Sequence, residues 1–233
     1  MRVLLTRPKQ DAGVFAGRLR ELGHEALSVP LLRVQFHNGE PLALDGVQGV
    51  LVTSANGVRA LARRTKRRDL PVFAVGPQTA QQALSAGFAR VESAEGDAVA
   101  LAGALPRWAR VEAGALLHAT GAQGAGRLGS LLAAKGYEVR TVVLYDVVAL
   151  SVLPQDVVGA LKGGLLNAAL FFSPRSAGVF RDCMLNAGLG EACAGLIAVC
   201  ISWAAAGALA PLSFREIRVA ARPNQDALLA CLG

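Results

Sequence analysis

The sequence predicts an α/β protein of two similar domains, each built on a parallel sheet with helices on both faces. Three observations carry that prediction. Short apolar runs alternate with helical patterns along the whole chain, and each run ends in a small polar cluster that opens into a helix. The order of these passages also repeats after about 120 residues, a period too long for a solenoid and suited to two homologous domains. The repeat is plainest in two passages. Val50-Leu51-Val52-Thr53-Ser54-Ala55-Asn56-Gly57-Val58 turns from apolar to polar and resumes at helical spacing through Leu61 and Ala62. Ala169-Leu170-Phe171-Phe172-Ser173-Pro174-Arg175-Ser176 does the same, with Ser173 in the place of Ser54 and Ser176 in that of Gly57.

Val3 to Leu5 forms the first strand, ending at Thr6-Arg7, and Pro8 suits the first turn of the helix that follows. That helix sets Val14, Phe15, Leu19 and Leu22 at apolar positions and stops at Gly23, a good C-terminal cap. Glu25 to Val34 is a second strand, broken by Pro30. The polar His37-Asn38-Gly39-Glu40-Pro41 reads as a linker. The Val50 strand and its helix come next, then a strand from Val72 that turns through Gly76-Pro77-Gln78-Thr79 into a helix ending at Gly87. Asp97 to Leu105 closes this stretch as a helix, and Pro106 stops it.

The pattern restarts at Gly114, with a strand through His118, a glycine loop from Gly121 to Gly126, a helix from Leu128 to Ala134 and a strand from Val139 to Val148. Gly136-Tyr137-Glu138 mirrors Gly23-His24-Glu25, so this third passage copies the first. From Leu165 the second passage recurs. Ile197 to Ala204 aligns with Phe73 to Ala80, which sets Cys200 opposite Gly76 and Trp203 opposite Thr79. Gln225 to Leu232 repeats the closing helix.

Composition narrows the class. Apolar residues make up 53% of the 233 and aromatic ones only 5%, so the core must be built from Ala, Val and Leu. The longest uncharged segment, Ala192 to Phe214, is interrupted by Gly195, Ser202, Gly207 and Pro211 and reads as strand, turn and helix rather than a membrane span. Arg2, Arg7 and Lys9 flank only a short apolar run, which cannot make a secretory signal, and a cytoplasmic protein is expected. The four cysteines show no zinc-ligand spacing and the three histidines no HExxH, so buried thiols and no metal site are expected.

The net charge of +7 needs a partner or a cause. No helix-turn-helix, zinc finger or aromatic-basic interleaving points to nucleic acid. The densest basic run, Arg63-Arg64-Thr65-Lys66-Arg67-Arg68, falls where a helix should end, where cations complement the helix dipole. An anionic small molecule drawn to a basic cleft accounts for the rest. In parallel sheets ligands bind beyond the carboxyl ends of the strands, and the polar clusters Thr6-Arg7, Thr53-Ser54, Gly76 to Thr79, Thr120 to Gly126, Ser173 to Ser176 and Ser202 all lie there. Helix N-termini at those ends offer unpaired N–H groups for carboxylates or phosphates. Each of Ser54, Asn56, Ser173 and Ser176 taken singly is also explained as a helix cap; their recurrence is what suggests a site in the cleft between the domains.

Other chemistries find less support. The Gly121 to Gly126 loop reads GxxGxG, lacks the order of a dinucleotide fingerprint and has no ribose-binding acid after it, and no P-loop exists. No serine has a base beside it in a nucleophile elbow. Tyr145, in the strand that leaves the third passage, is either a core tyrosine with a satisfied hydroxyl or a weak general acid at the cleft.

Leu4-Leu5-Thr6-Arg7-Pro8, Val52-Thr53-Ser54-Ala55-Asn56-Gly57-Val58, Ala74-Val75-Gly76 with Thr79-Ala80, the strand tyrosine Tyr145 and Phe172-Ser173 occur in an order that resembles uroporphyrinogen-III synthase, over essentially the whole chain. The resemblance implies two flavodoxin-like α/β/α domains joined by a two-stranded connector, residues 1–36 and 150–233 forming one and residues 37–149 the other. It implies that hydroxymethylbilane, a linear tetrapyrrole polycarboxylate, is closed into uroporphyrinogen III with inversion of the last pyrrole ring and loss of water. Tyr145 then matches the tyrosine that assists hydroxyl departure, and Arg7, Ser54, Ala55, Asn56, Thr79, Ser173, Arg175, Ser176 and Ser202 are expected to bind substrate. It implies neither cofactor nor metal, a monomer, and room for transient contact with the preceding pathway enzyme. The fourth passage departs from the family at Cys200 and Trp203, so its hydroxyl contact would pass to Ser202 or be lost. The rival from another class is a non-catalytic two-domain binding protein that closes on an anionic small molecule; a nucleotide-dependent enzyme comes third.

Overall fold

The computed structural model of the chain describes residues 1–7, 9–124 and 126–233, and leaves the side chains at 9–11 undescribed. Pro8, expected to open a helix, and Ala125, within the expected glycine loop, lie outside the described residues. In chain order the strands are β1 (Arg2–Leu5), β2 (Glu25–Ser28), β3 (Leu32–Phe36), β4 (Val47–Val52), β5 (Val72–Ala74), β6 (Val91–Ser93), β7 (Ala115–Gly121), β8 (Val139–Ala149), β9 (Ala168–Phe171), β10 (Ile197–Cys200) and β11 (Glu216–Val219). The helices are α1 (Lys9–Glu21), α2 (Ala55–Arg64), α3 (Pro77–Ser85), α4 (Ala98–Ala104), α5 (Arg127–Ala133), α6 (Gln155–Lys162), α7 (Pro174–Asn186), α8 (Trp203–Gly207) and α9 (Gln225–Ala230).

They form two compact units, Met1–Arg33 with Val148–Gly233, and Val34–Val147. The first holds a five-stranded sheet in the order β11-β10-β9-β1-β2, every pair parallel. The second holds the order β3-β8-β7-β4-β5-β6, parallel from β8 to β6. The first and last passages of the sequence thus share one sheet, and the second and third share the other. β3 lies beside β8 in the opposite sense, since His37 N–H donates to Leu144 O and Leu150 N–H to Leu31 O. These two strands carry the chain out of one unit and back, the expected connector.

The strand pattern follows from burial on both faces. In β4, Val50 and Val52 pack with Val58, Leu61 and Ala83, while Leu51 packs on the other face with Leu101, Leu105 and Leu128. Because both faces are covered, the strand reads as a continuous apolar run. Gly23 and Gly136, equivalent in the repeat, take φ values of 75° and 86° just past α1 and α5, where a side chain would be strained.

Three details differ from the sequence reading. The expected strand from Glu25 to Val34 divides at Val29–Leu31, β2 staying in the first sheet and β3 leaving for the connector, because Pro30 has no N–H to continue a ladder. β7 runs on through Gly121, so the expected glycine loop starts as strand and passes into a 3-10 turn at Ala122–Gly124. The repeat alignment shifts by two positions in the fourth passage. Ser202 caps α8 as Gly76 caps α3, which sets Trp203 opposite Pro77, Ala205 opposite Thr79 and Cys200 opposite Ala74, the last residue of its strand. Apolar periodicity alone does not fix this register; the caps do.

In the basic run that ends α2, the Arg64 and Arg68 guanidinium groups donate to backbone carbonyls. Arg68 donates to Ala62 O, Thr65 O and Ala86 O and lies 4.8 Å from the centre of the Phe88 ring. Cys183, Cys193 and Cys200 are buried, and burial pushes the thiols of Cys193 and Cys200 up to about 11 and about 12. Among the described residues, no helix is long and apolar enough to cross a membrane, and no cluster of three or more His, Cys, Asp and Glu side chains could hold a metal ion.

Candidate functional site

In the second unit, β7, β4 and β5 are neighbours, and their carboxyl ends bring Gly121, Ser54 and Gly76 to one edge. Ser54 has extended backbone and caps α2, its Oγ accepting the Gly57 N–H at 3.0 Å. A Cβ on Gly57 would come within 2.8 Å of Ala119 O, so α2 starts hard against β7. The first helical N–H groups, those of Ala55 and Asn56, have no acceptor within the helix. The Asn56 side chain is turned to its own helix, with Oδ1 accepting from Arg59 Nη1 at 2.9 Å.

Ser54 Oγ also meets the Tyr145 hydroxyl at 2.8 Å. Two features aim that tyrosine. The β7–β8 register slips between Thr120↔Val143 and Gly121↔Tyr145, leaving Leu144 as an extra residue, and such bulges re-aim side chains. A Cβ on Gly121 would lie 2.7 and 2.8 Å from Tyr145 ring carbons, so the ring rests on bare backbone. Tyr145 then lines a pocket of about 150 Å³ with Gly121, Ala122, Gln123, Gly124, Asp146 and Val147. Replacing Ser54 with alanine removes a helix cap, and the expected cost is about 1 kcal/mol, read as a lower denaturant midpoint.

Thr79 is buried as the third residue of α3. In the first unit, β10, β9 and β1 are neighbours and bring Ser202, Ser173 and Arg7 to one edge. The Arg7 guanidinium lies 4.8 Å from the centre of the Phe172 ring. Ser173 accepts the Ser176 N–H at 3.1 Å, and its own hydroxyl donates to Ser176 Oγ at 3.1 Å. Ser176 is buried and donates to Ser173 O at 2.9 Å, so this pair closes on itself. Arg175 is half-buried in the first turn of α7, and Ser202 accepts the Ala205 N–H at 3.3 Å.

Sequence reasoning misses Asp146 and His118 of the second unit, and places Gly121 at a strand end without its role. Asp146 follows Tyr145, lines the same pocket and bonds His37, which sequence reasoning places in a linker. Gly121 supports the tyrosine ring. His118 is fully buried in β7, between Leu51 and Thr141 of the flanking strands, and neither ring nitrogen has a partner among the described residues. Burial pulls its pKa down to about 4. The only sequence signal for it was a histidine in an otherwise apolar strand.

Comparisons with known proteins bear on the family and the fold. A family model described as uroporphyrinogen-III synthase HemD matches residues 13–230. A Methanocaldococcus jannaschii protein assigned provisionally as a uroporphyrinogen-III synthase is 30% identical over 87 residues, 35% of this chain and 36% of that protein's length. The fold is similar to uroporphyrinogen-III synthetase from Helicobacter pylori, with a TM-score of 0.65 at 17% identity over 100% of this chain and 98% of the other. It is also similar to a mutant uroporphyrinogen III synthase from Thermus thermophilus, with a TM-score of 0.54 at 19% identity over 100% and 97%. With the family model spanning nearly its whole length, the chain belongs to the uroporphyrinogen-III synthase family.

Proposed function

We propose that this protein closes hydroxymethylbilane into uroporphyrinogen III, inverting the last ring and releasing water. The observation that carries the reading is the Tyr145–Ser54 contact at the start of α2, beside an open pocket. A hydroxyl leaves a pyrrole's methylene only with a proton. When Gly57 N–H donates to Ser54 Oγ and Ser54 donates to Tyr145, the phenol is free to donate to the departing hydroxyl. The phenolate left behind is then stabilised by the serine and by the positive end of the helix dipole.

The balance is closed. The C–O bond breaks, the oxygen leaves as water with the proton of Tyr145, and the pyrrole nitrogen lone pair supplies the electrons, giving an azafulvene cation. The substituted carbon of the last ring attacks it. The spiro intermediate opens as that carbon's original bond to the methylene of the third ring breaks, leaving a second azafulvene cation on the third ring, and the free carbon of the last ring attacks that methylene to close the macrocycle. The proton lost from that carbon restores the phenol. Since the uncatalysed bilane closes without inversion, the protein acts chiefly by holding one geometry. Arg7, Arg175 and the strand-end N–H groups at Ala55, Asn56, Ser173 and Ser202 are the groups suited to the substrate carboxylates, with Thr79 and Ser176 supporting the helix starts.

Incubation with freshly made hydroxymethylbilane, followed by separation of the type I and type III isomers, tests the reading. A preparation that yields only type I would mark the protein as a binder without chemistry. In the same assay Tyr145→Phe is expected to slow turnover about tenfold without abolishing it, since a phenol near neutral pH is a weak acid. A parental rate would remove Tyr145 from the mechanism.

A further inference from the structure

We infer that Trp203 and Arg222 extend the substrate site of the first unit, the indole stacking on one pyrrole ring of the bilane and the guanidinium taking an acidic arm of that ring. The inference rests on the reaction proposed above and names two contacts that Arg7, Ser173, Arg175 and Ser202 do not supply.

Both residues leave one sheet edge. Val219 ends β11 in register with Cys200, the last residue of β10, and Ala220 N–H still bonds Cys200 O. Trp203 and Arg222 each follow three residues after that pair, from strands about 4.8 Å apart. The same edge carries Ser202, Ser173 and Arg7.

Trp203 is 79% exposed, and α8 does not need it. Ala205 within that helix and Leu209 just beyond it are buried and hold it to the core. The equivalent first positions of α3 and α7 are Pro77 and Pro174, whose fixed φ suits a helix start. An indole brings no such benefit there, so its presence in water at a strand end answers to something other than the fold. Arg222 is exposed as well, and its side chain has no partner among the described residues.

A pyrrole of the bilane has flat, electron-rich faces and a rim that carries carboxylates. Its face suits an indole and its rim a guanidinium. A small anion without a ring would engage the arginine and leave the indole wet, whereas an apolar partner would cover the indole and strand the arginine's charge. Neither contact touches the breaking C–O bond. Both therefore hold ground state and transition state alike, and their loss raises KM with kcat little changed.

The chain has two tryptophans, and Trp108 is stacked on Phe73 in the second unit with ring centres 5.8 Å apart. Trp108→Phe leaves Trp203 as the one indole emitter. Titrating that variant with uroporphyrinogen III, kept anaerobic so that its pyrroles stay unconjugated, is expected to change the emission saturably, and adding Arg222→Gln should raise the ligand concentration needed about fivefold. In the isomer assay Trp203→Ala should raise KM about tenfold with kcat within about twofold, while Trp203→Phe recovers most of the affinity. Several results would overturn the inference: no emission change at product concentrations that inhibit turnover, an unchanged titration in Arg222→Gln, or a parental KM in Trp203→Ala. An emission change set by protein concentration rather than by ligand would also do so, since it would seat the indole against a second copy of the chain, and so would a Trp203→Ala chain that does not fold. Type I product alone from the parent protein would instead overturn the reaction, and the titration would still read the contact by itself.

Discussion

Replacing Gly121 with alanine is expected to slow turnover about a hundredfold and to cost about 1–3 kcal/mol of stability. The new Cβ would stand 2.7 and 2.8 Å from Tyr145 ring carbons and 3.1 Å from Tyr145 O, so neither ring nor backbone can stay in place. Tyr145→Phe removes one hydroxyl and leaves the pocket intact; Gly121→Ala moves the ring off Ser54 and intrudes on the pocket that both residues line. A displacement near 1 Å is enough to cost about two orders of magnitude in rate where catalysis depends on positioning. Gly103→Ala, whose Cβ would meet nothing within 4 Å, is the control and should leave turnover unchanged. Steady-state rates beside thermal unfolding of the two variants check this, and a Gly121→Ala protein with parental turnover would show that the ring position is not what the rate depends on.

Acid is expected to weaken the fold through His118. Unfolded, the ring takes a proton near pH 6.5; folded, burial holds it neutral to about pH 4. Between those values the unfolded chain binds the extra proton, so stability falls as pH drops from 6.5 to 4, by up to about 3 kcal/mol, and the histidine adds no further loss below that. Carboxylates also contribute to acid unfolding, so the His118 share is read as a difference between proteins. His118→Leu removes two buried nitrogens without partners and keeps an apolar filling, so it should be neutral or stabilising at pH 7 and less sensitive to acid. Denaturant midpoints at pH 7 and pH 4.5 for parent and variant give the comparison. Parallel losses in both would show that the ring is hydrated or paired when folded.

The alternation of strands and helices was legible because β4, β7, β9 and β10 are covered on both faces and so spell unbroken apolar runs. The strand-end serines were legible for a similar reason: a cap must be small, polar and placed just before the helix. What joins Ser54 to Tyr145 was not. The residues are 91 positions apart, and their meeting depends on a one-residue slip in the β7–β8 ladder that leaves no mark in composition. Gly121 looked like loop because glycine usually signals a turn, whereas here it is a strand residue kept bare for a ring. His37 looked like linker because its neighbours are turn formers, while its bonds run to Val143 and Asp146 on a strand far along the chain. The misplaced Trp203 has the same origin: a run of alanines after Ser202 offers no periodicity to align against.

Ser173 and Ser54 occupy equivalent places, yet the former's hydroxyl is latched to Ser176, where its twin has only Gly57 and so faces a phenol. Two strand ends that read alike in sequence thus differ in their hydrogen bonds, and among the described residues only the Ser54 hydroxyl of the two meets a phenol. The difference turns on one side chain, and Ser176→Gly would unlatch the Ser173 hydroxyl without bringing it a phenol.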